Sequence, residues 1–213
     1  MKYKLVIFDW DGTLMDSASR IVSSMQRTAI LCGQPEPSAT AVQNIIGLSL
    51  DVAVERLFGQ ADADTQNSIV INYKDQYVNH DQTPTPMFAG ALDLLDTLKR
   101  EGYKLAVATG KGRPGLQNVL TKSGTEHFFV CTRTGDEAQS KPSPDMLQQI
   151  LVEMGLEVKD AVMIGDTEYD LGMAKAIGMD SIGVSFGVHE RERLLLQGPL
   201  TVVDSLLEIR GWL

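Results

Sequence analysis

Leu5 to Phe8 form a continuous apolar run that stops abruptly against Asp9-Trp10-Asp11-Gly12-Thr13. A run without alternation reads as a strand buried on both faces, as in a parallel sheet. Two carboxylates two residues apart at the carboxyl end of such a strand stand at the edge where open α/β sheets bind ligands. Strand alternation aims Asp9 and Asp11 the same way until Gly12 breaks the strand. Like charges so close need a cation, a shared proton, or both. An Asp-Gly turn closing a strand is the plainer account, but it explains neither the second carboxylate nor the apolar lead-in.

The rest of the chain supplies the partners such a strand requires. Residues 18–32 carry Ile21, Val22, Met25, Ala29 and Ile30 at helical spacing. Asp16-Ser17 ahead of them has the composition of a helix cap, and Gly33 closes the segment. Short helices are expected over 38–46 and 50–58, and Asp62 and Asp64 open another with Ile69, Tyr73 and Tyr77 along one face. No strand is expected between about 17 and 82, and His80 to Pro86 reads as a linker.

From Met87 the pattern alternates: helix 90–101, strand 104–108, helix from Pro114 to Gly124, strand 128–131, helix 144–154, strand 161–164, helix to Ile177, strand 181–184. This rhythm predicts a Rossmann-like α/β fold, a parallel sheet with helices on both faces and right-handed crossovers. Residues 1–16 and 83–213 would form that domain, with 17–82 inserted as an all-helical one.

At 213 residues the chain can build one or two domains around a real core. A formal charge of −9, with no basic block, makes duplex nucleic acid and anionic membranes poor partners. Cys32 and Cys131, far apart and in apolar surroundings, are expected as buried free thiols of a reducing compartment. The opening apolar run is too short for a signal peptide, and no run approaches bilayer length. A cytoplasmic protein is expected, a monomer or weak homodimer.

Three further strings carry chemistry. Val107-Ala108-Thr109-Gly110-Lys111 puts a hydroxyl and a glycine amide at another strand end, ahead of a helix N-terminus that favours anions. A local turn bond by Thr109 would account for the same residues. Gly110, Gly112 and Gly115 also match a dinucleotide-binding loop. Pro114 removes an amide from that turn, and Cys131-Thr132-Arg133-Thr134 offers no acid at the next strand end, so this reading is set aside.

Lys141 precedes Pro142-Ser143-Pro144, where proline fixes the chain and a helix begins at once. An isolated loop lysine is normally only solvated; this one has a defined position. Met163 to Asp170 ends a fourth strand, with Asp170 one helical turn beyond Asp166 and facing the same point. Charge compensation at a helix N-terminus would explain that pair alone. With Asp9 and Asp11 converging, it leaves four carboxylates unneutralised. His80, His127 and His189 show no ligand spacing and read as packing or surface residues.

Taken in order, these strings resemble the four motifs of the haloacid dehalogenase-like hydrolases. They are Asp-x-Asp-Gly-Thr-Leu-x-Asp-Ser at 9–17, Thr109-Gly110, Lys141 followed by Pro-x-Pro, and Gly-Asp-Thr-x-x-Asp at 165–170. The size and place of the helical insertion resemble the phosphoglycolate phosphatase and phosphoglucomutase branch, with its helical cap between the first two motifs. Ile177 stands where that family usually has alanine.

The resemblance implies an aspartyl-phosphate on Asp9 and general acid/base catalysis by Asp11. It implies that Thr109 and the Gly110 amide hold the phosphoryl oxygens and that Lys141 neutralises phosphate charge. Oxygen-only donors imply a hard cation, and magnesium suits a phosphate site best. By resemblance its ligands are Asp9, Asp166 and the main-chain carbonyl of Asp11, with Asp170 in support. The implied function is magnesium-dependent hydrolysis of a small phosphorylated metabolite. A sugar phosphomutase and an inorganic pyrophosphatase are alternatives inside the family. Outside it stands a receiver-type signalling module, whose acceptor aspartate lies on a later strand than its acidic pair. Arg20, Ile46, Gly47, Leu48, Ser49 and Lys74 are candidates, by position alone, to line the pocket.

Overall fold

The computed structural model describes residues 2–213. Strand β1 (Leu5–Phe8) is buried at every position. Val6 and Phe8 enter one apolar cluster with Leu94, Leu95 and Leu98; Leu5 and Ile7 enter another with Met146, Leu147, Ile150 and Met163. Burying each such side chain is worth about 2 kcal/mol, so this strand alone contributes on the scale of a domain's net stability.

The sheet has six parallel strands, in the order β3-β2-β1-β4-β5-β6. The others are β2 (Lys104–Ala108), β3 (Phe129–Arg133), β4 (Ala161–Gly165), β5 (Asp180–Val184) and β6 (Thr201–Val203). Phe8 pairs with Val107 on one side and Ile164 on the other, so Asp9, Thr109 and Asp166 leave the sheet at nearly one level. Asp9 N extends the ladder to Ile164 O at 2.9 Å. Helices α5 (Ala91–Arg100), α6 (Arg113–Ser123), α7 (Asp145–Met154) and α8 (Glu168–Ala176) connect the strands.

Strand β3 differs from the doubly buried strand expected over 128–131. It starts at Phe129, after a turn of 3-10 helix at Glu126–Phe128, and Val130 is 55% exposed. It lies at the sheet edge, where β2 pairs it on one side only. The C-terminal part adds α9 (Arg191–Leu195) and the short strand β6, both too brief to show a period in sequence.

Between β1 and α5 the chain is helical: α1 (Ala18–Leu31), α2 (Ala39–Gln43), α3 (Leu50–Phe58), α4 (Ala63–Asp75) and a π-helical turn at Gln76–His80. These helices gather a cluster of their own around Met25, Val42, Ile46, Val54, Phe58 and Ile69. Two chain segments join it to the sheet side by side, with Asp16 N bonded to Pro86 O at 2.8 Å and Phe88 N to Leu14 O at 2.9 Å. Asp81 fastens the return segment by accepting from the hydroxyls of Ser23 and Ser24 and from Thr83 N. Burial opposes ionisation of Asp81, but these donors outweigh it and bring its pKa down to about 2.

Ser17 does not cap α1 as expected. It stands at the N-cap position, but its hydroxyl makes no capping bond and donates to Asp11 Oδ1 at 2.6 Å instead. Cys131 is buried, whereas Cys32 is only partly so, and both thiols are free. Among the described residues, no helix is long and apolar enough to cross a membrane.

Candidate active site

The register of β1, β2 and β4 delivers the motif residues to one edge of the sheet. Asp9 is 1% exposed, and its Oδ1 accepts from Lys141 Nζ at 2.6 Å. The same ammonium reaches Asp170 Oδ1 at 2.6 Å. Burial alone would lower the Lys141 pKa, but Asp170 and Asp9 outweigh it and raise it above the ordinary lysine value. The other Asp9 oxygen, Oδ2, is buried with no hydrogen-bond partner among the described residues.

Asp170 serves two ends at once. Its Oδ2 accepts from Thr167 N at 3.0 Å and the Thr167 hydroxyl at 2.7 Å, closing a capping box at the start of α8. Its Oδ1 faces Lys141, so helix capping and site building are not alternatives here. Asp166, fully buried, accepts from the Thr13 hydroxyl at 2.9 Å and from Val188 N at 2.9 Å. A Cβ on Gly12 would fall 2.2 Å from Asp166 Oδ2, and one on Gly187 2.2 Å from Asp166 Cβ. Gly12 also has φ +87°, so it is required twice over.

The second motif acid faces different partners. Asp11 takes the Ser17 hydroxyl on Oδ1 and Lys111 Nζ on Oδ2 at 3.1 Å. Lys111 also lies 4.8 Å from the ring centre of Tyr77 in the helical segment. Burial works to lower its pKa, but Asp11 and then Tyr77 raise it above the ordinary value. Thr109 is 1% exposed and accepts from Lys111 N at 3.2 Å, so the local turn bond exists and its hydroxyl remains a donor. The N-terminus of α6, expected to favour an anion, already holds one: Arg113 N donates to both oxygens of Asp136 at 3.0 and 3.1 Å. The same carboxylate stands where a dinucleotide's pyrophosphate would, consistent with setting that reading aside.

Asp9, Asp11, Thr109, Gly110 and Lys111 line a cavity of about 530 Å³ whose opposite wall is the helical segment. Ile46, Gly47, Leu48, Ser49 and Lys74 also line it; Arg20 does not, since its Nε is bonded to Thr83 O at 2.6 Å. The loop between α2 and α3 comes down onto the sheet edge. A Cβ on Gly110 would fall 2.3 Å from Leu48 O, and Ser49 N donates to Ser140 Oγ at 2.9 Å. The Tyr169 hydroxyl donates to Asn44 O at 2.7 Å and accepts from Arg56 at 2.9 Å.

A family model described as haloacid dehalogenase-like hydrolase matches residues 6–184. The chain belongs to that family. The probable phosphatase IndB of Dickeya dadantii is 33% identical over 213 residues, covering 97% of this chain and 92% of that one. Phosphoglycolate phosphatase of Pseudomonas putida is 28% identical over 210 residues, covering 95% and 77%. The crystal structure of a predicted phosphoglycolate phosphatase from Haemophilus somnus superposes with a TM-score of 0.91 over 100% of this chain and 98% of that one; at 24% identity it shows the fold.

The residues present fit the hard cation that such a hydrolase is expected to use. One oxygen each from Asp9, Asp166 and Asp170 lies within 4.8 Å of the others, and all three residues are buried. Burial, with Asp170 and Asp166 adding repulsion against the pull of Lys141, pushes the Asp9 carboxyl well above the usual carboxylate range. Burial and then Asp170 push Asp166 to about 7, opposed by the Val188 amide and the Thr13 hydroxyl. A divalent ion would reverse both directions. The Asp11 carboxylate, turned to Ser17 and Lys111, is not in this group.

Sequence reasoning missed several residues here. Ser17 and Thr13 lie inside the first motif string, but their contacts with the acids have no signature there. Lys111 carries no role in the motif strings, although a lysine adjoining a candidate phosphate loop is itself a signal. Gly187 and Val188 carry no local signature; only tertiary packing brings them to Asp166.

Proposed function

We propose that this enzyme is a magnesium-dependent phosphatase acting on a small phosphorylated metabolite through an aspartyl-phosphate on Asp9, as the resemblance to phosphoglycolate phosphatases suggests. The observation that carries this reading is the asymmetry of the Asp9 carboxylate. Lys141 fixes one oxygen, while the other is buried and unpaired at the cavity floor, within the acidic group.

In the first step Asp9 Oδ2 forms a bond to phosphorus and the ester P–O bond breaks, while Asp11 gives its proton to the leaving oxygen. In the second, Asp11 takes a proton from water, the resulting hydroxide oxygen bonds to phosphorus, and the acyl-phosphate P–O bond breaks to free Asp9 and phosphate. Lys141 balances the negative charge that Asp9 shares with the phosphoryl group. Thr109 and the Gly110 amide hold phosphoryl oxygens. Lys111 pairs with Asp11 at the cavity wall, where an entering phosphate competes for its ammonium. Asp9, Asp166 and the Asp11 carbonyl, supported by Asp170, would hold magnesium, which supplies charge neutralisation and alignment of the phosphoryl group.

Residues 17–82 act in this reading as a cap domain on a core of 1–16 and 83–213. The cap excludes bulk water and macromolecular substrates from the acidic edge. Phosphate release from small esters should require magnesium, vanish with excess chelator, and return with magnesium better than with calcium, which tolerates looser coordination. Full activity in chelator, or an unimpaired Asp9→Asn variant, would overturn the proposal.

A further inference from the structure

We infer that the alcohol released by this enzyme is uncharged and mainly apolar, rather than a carboxylate-bearing acid such as glycolate or a polyhydroxylated sugar. This deepens the phosphatase reading above and rests on it. Away from the acidic edge, the walls of the 530 Å³ cavity are built by Ile21, Met25, Ile46, Leu48, Ala53 and Tyr73. Met25 is 1% exposed and Ile46 3%, so these are ordered walls shared with the helical core. A carboxylate in the leaving group would need a free cation there, because burying an unpaired charge is costly. Among the described residues, only two cations line the cavity. Lys111 is taken by Asp11 or by the phosphoryl group itself, and Lys74 lies at the exposed rim on α4.

Two further acidic residues, Asp51 and Asp136, line the cavity and disfavour a second anion. A sugar would bury several hydroxyls against a wall that is aliphatic along Ile21, Met25, Ile46, Leu48 and Ala53. Neutral polar groups interrupt these walls at Ser49, Asn118 and Tyr77, whose hydroxyl is buried without a hydrogen-bond partner among the described residues, so the alcohol can carry a neutral donor or acceptor. The volume lies within the range of pockets that enclose organic ligands, and leaves a two-carbon acid loosely held.

Straight-chain alkyl monophosphates test this cleanly, because their leaving groups have nearly equal basicity and differ in burial. With magnesium present, kcat/KM should rise about two- to fourfold per added methylene from methyl to hexyl phosphate, the effect of burying each CH₂. Hexyl phosphate should exceed both 2-phosphoglycolate and glucose 6-phosphate by at least tenfold. Ala53→Phe, which fills the cavity from α3, should lower the hexyl-to-methyl ratio by at least tenfold. A flat or falling series with acetyl phosphate still hydrolysed, or a preference for 2-phosphoglycolate, would overturn this inference and leave the phosphatase reading standing. No phosphate release from any of these compounds would overturn both. If Ala53→Phe does not fold, the wild-type series decides alone.

Discussion

On the sheet side of the cavity nearly every polar atom has an assigned partner. Lys141 bridges Asp9 and Asp170, Thr13 and Val188 hold Asp166, and Ser17 and Lys111 hold Asp11. On the helical side the lining is dominated by Ile21, Met25, Ile46 and Leu48, which fix shape and polarity but no single atom. The contrast teaches where each task resides. Positions on the sheet side tolerate displacements of a fraction of an ångström, since Gly12 and Gly187 leave no room beside Asp166. The helical side can be repacked with other apolar residues, and selectivity would change before turnover does.

The largest effect should come from Asp9 Oδ2, the buried and unpaired carboxylate oxygen at the sheet edge. Asp9→Asn should lower turnover by at least about 10⁴-fold, as loss of a nucleophile does, with thermal unfolding little changed because Lys141 keeps Asp170. Phosphate release and a melting curve check both halves. Lys141→Met should cost about 3–5 kcal/mol of stability, because it leaves buried carboxylates without their counter-charge. Denaturant unfolding measures this, and a change under 1 kcal/mol would mean that the acidic group is compensated elsewhere.

Gly12→Ala should destabilise by about 1–3 kcal/mol, since the new methyl meets Asp166 and the backbone is held at positive φ. The smallest effect belongs to the docking of the helical segment. Tyr169→Phe removes the hydroxyl between Asn44 O and Arg56, worth about 1 kcal/mol. It should raise KM a few-fold and leave kcat nearly intact if the helical segment governs binding. An equal fall in kcat would instead assign the loop between α2 and α3 to the chemistry.

The same contrast explains what the sequence disclosed. The sheet side is written in short contiguous strings, because a buried strand, its terminal acid and the following turn are neighbours along the chain. Asp9, Thr109 and Asp166 were therefore legible, and strand register brings them together. The apolar lining of the helical side was visible only as helical periodicity, since Met25 or Ile46 as a cavity wall looks no different from either as plain core. Contacts between distant segments left no trace: Val188 N on Asp166 and Asn44 on Tyr169 depend on packing alone. Val130, expected inside, emerged at an edge because an apolar run does not report its neighbours in the sheet.

The central claim is that Asp9 carries the phosphoryl group, and borohydride trapping tests it most directly. Borohydride reduces an aspartyl-phosphate to homoserine, so enzyme quenched during turnover with magnesium should show that conversion at residue 9 by peptide mass spectrometry. Asp11→Asn should increase the trapped fraction, because the second step loses its base, and Asp9→Asn should show none. Conversion at a different aspartate, or full turnover with no trapped residue in either the parent or Asp11→Asn, would contradict the account.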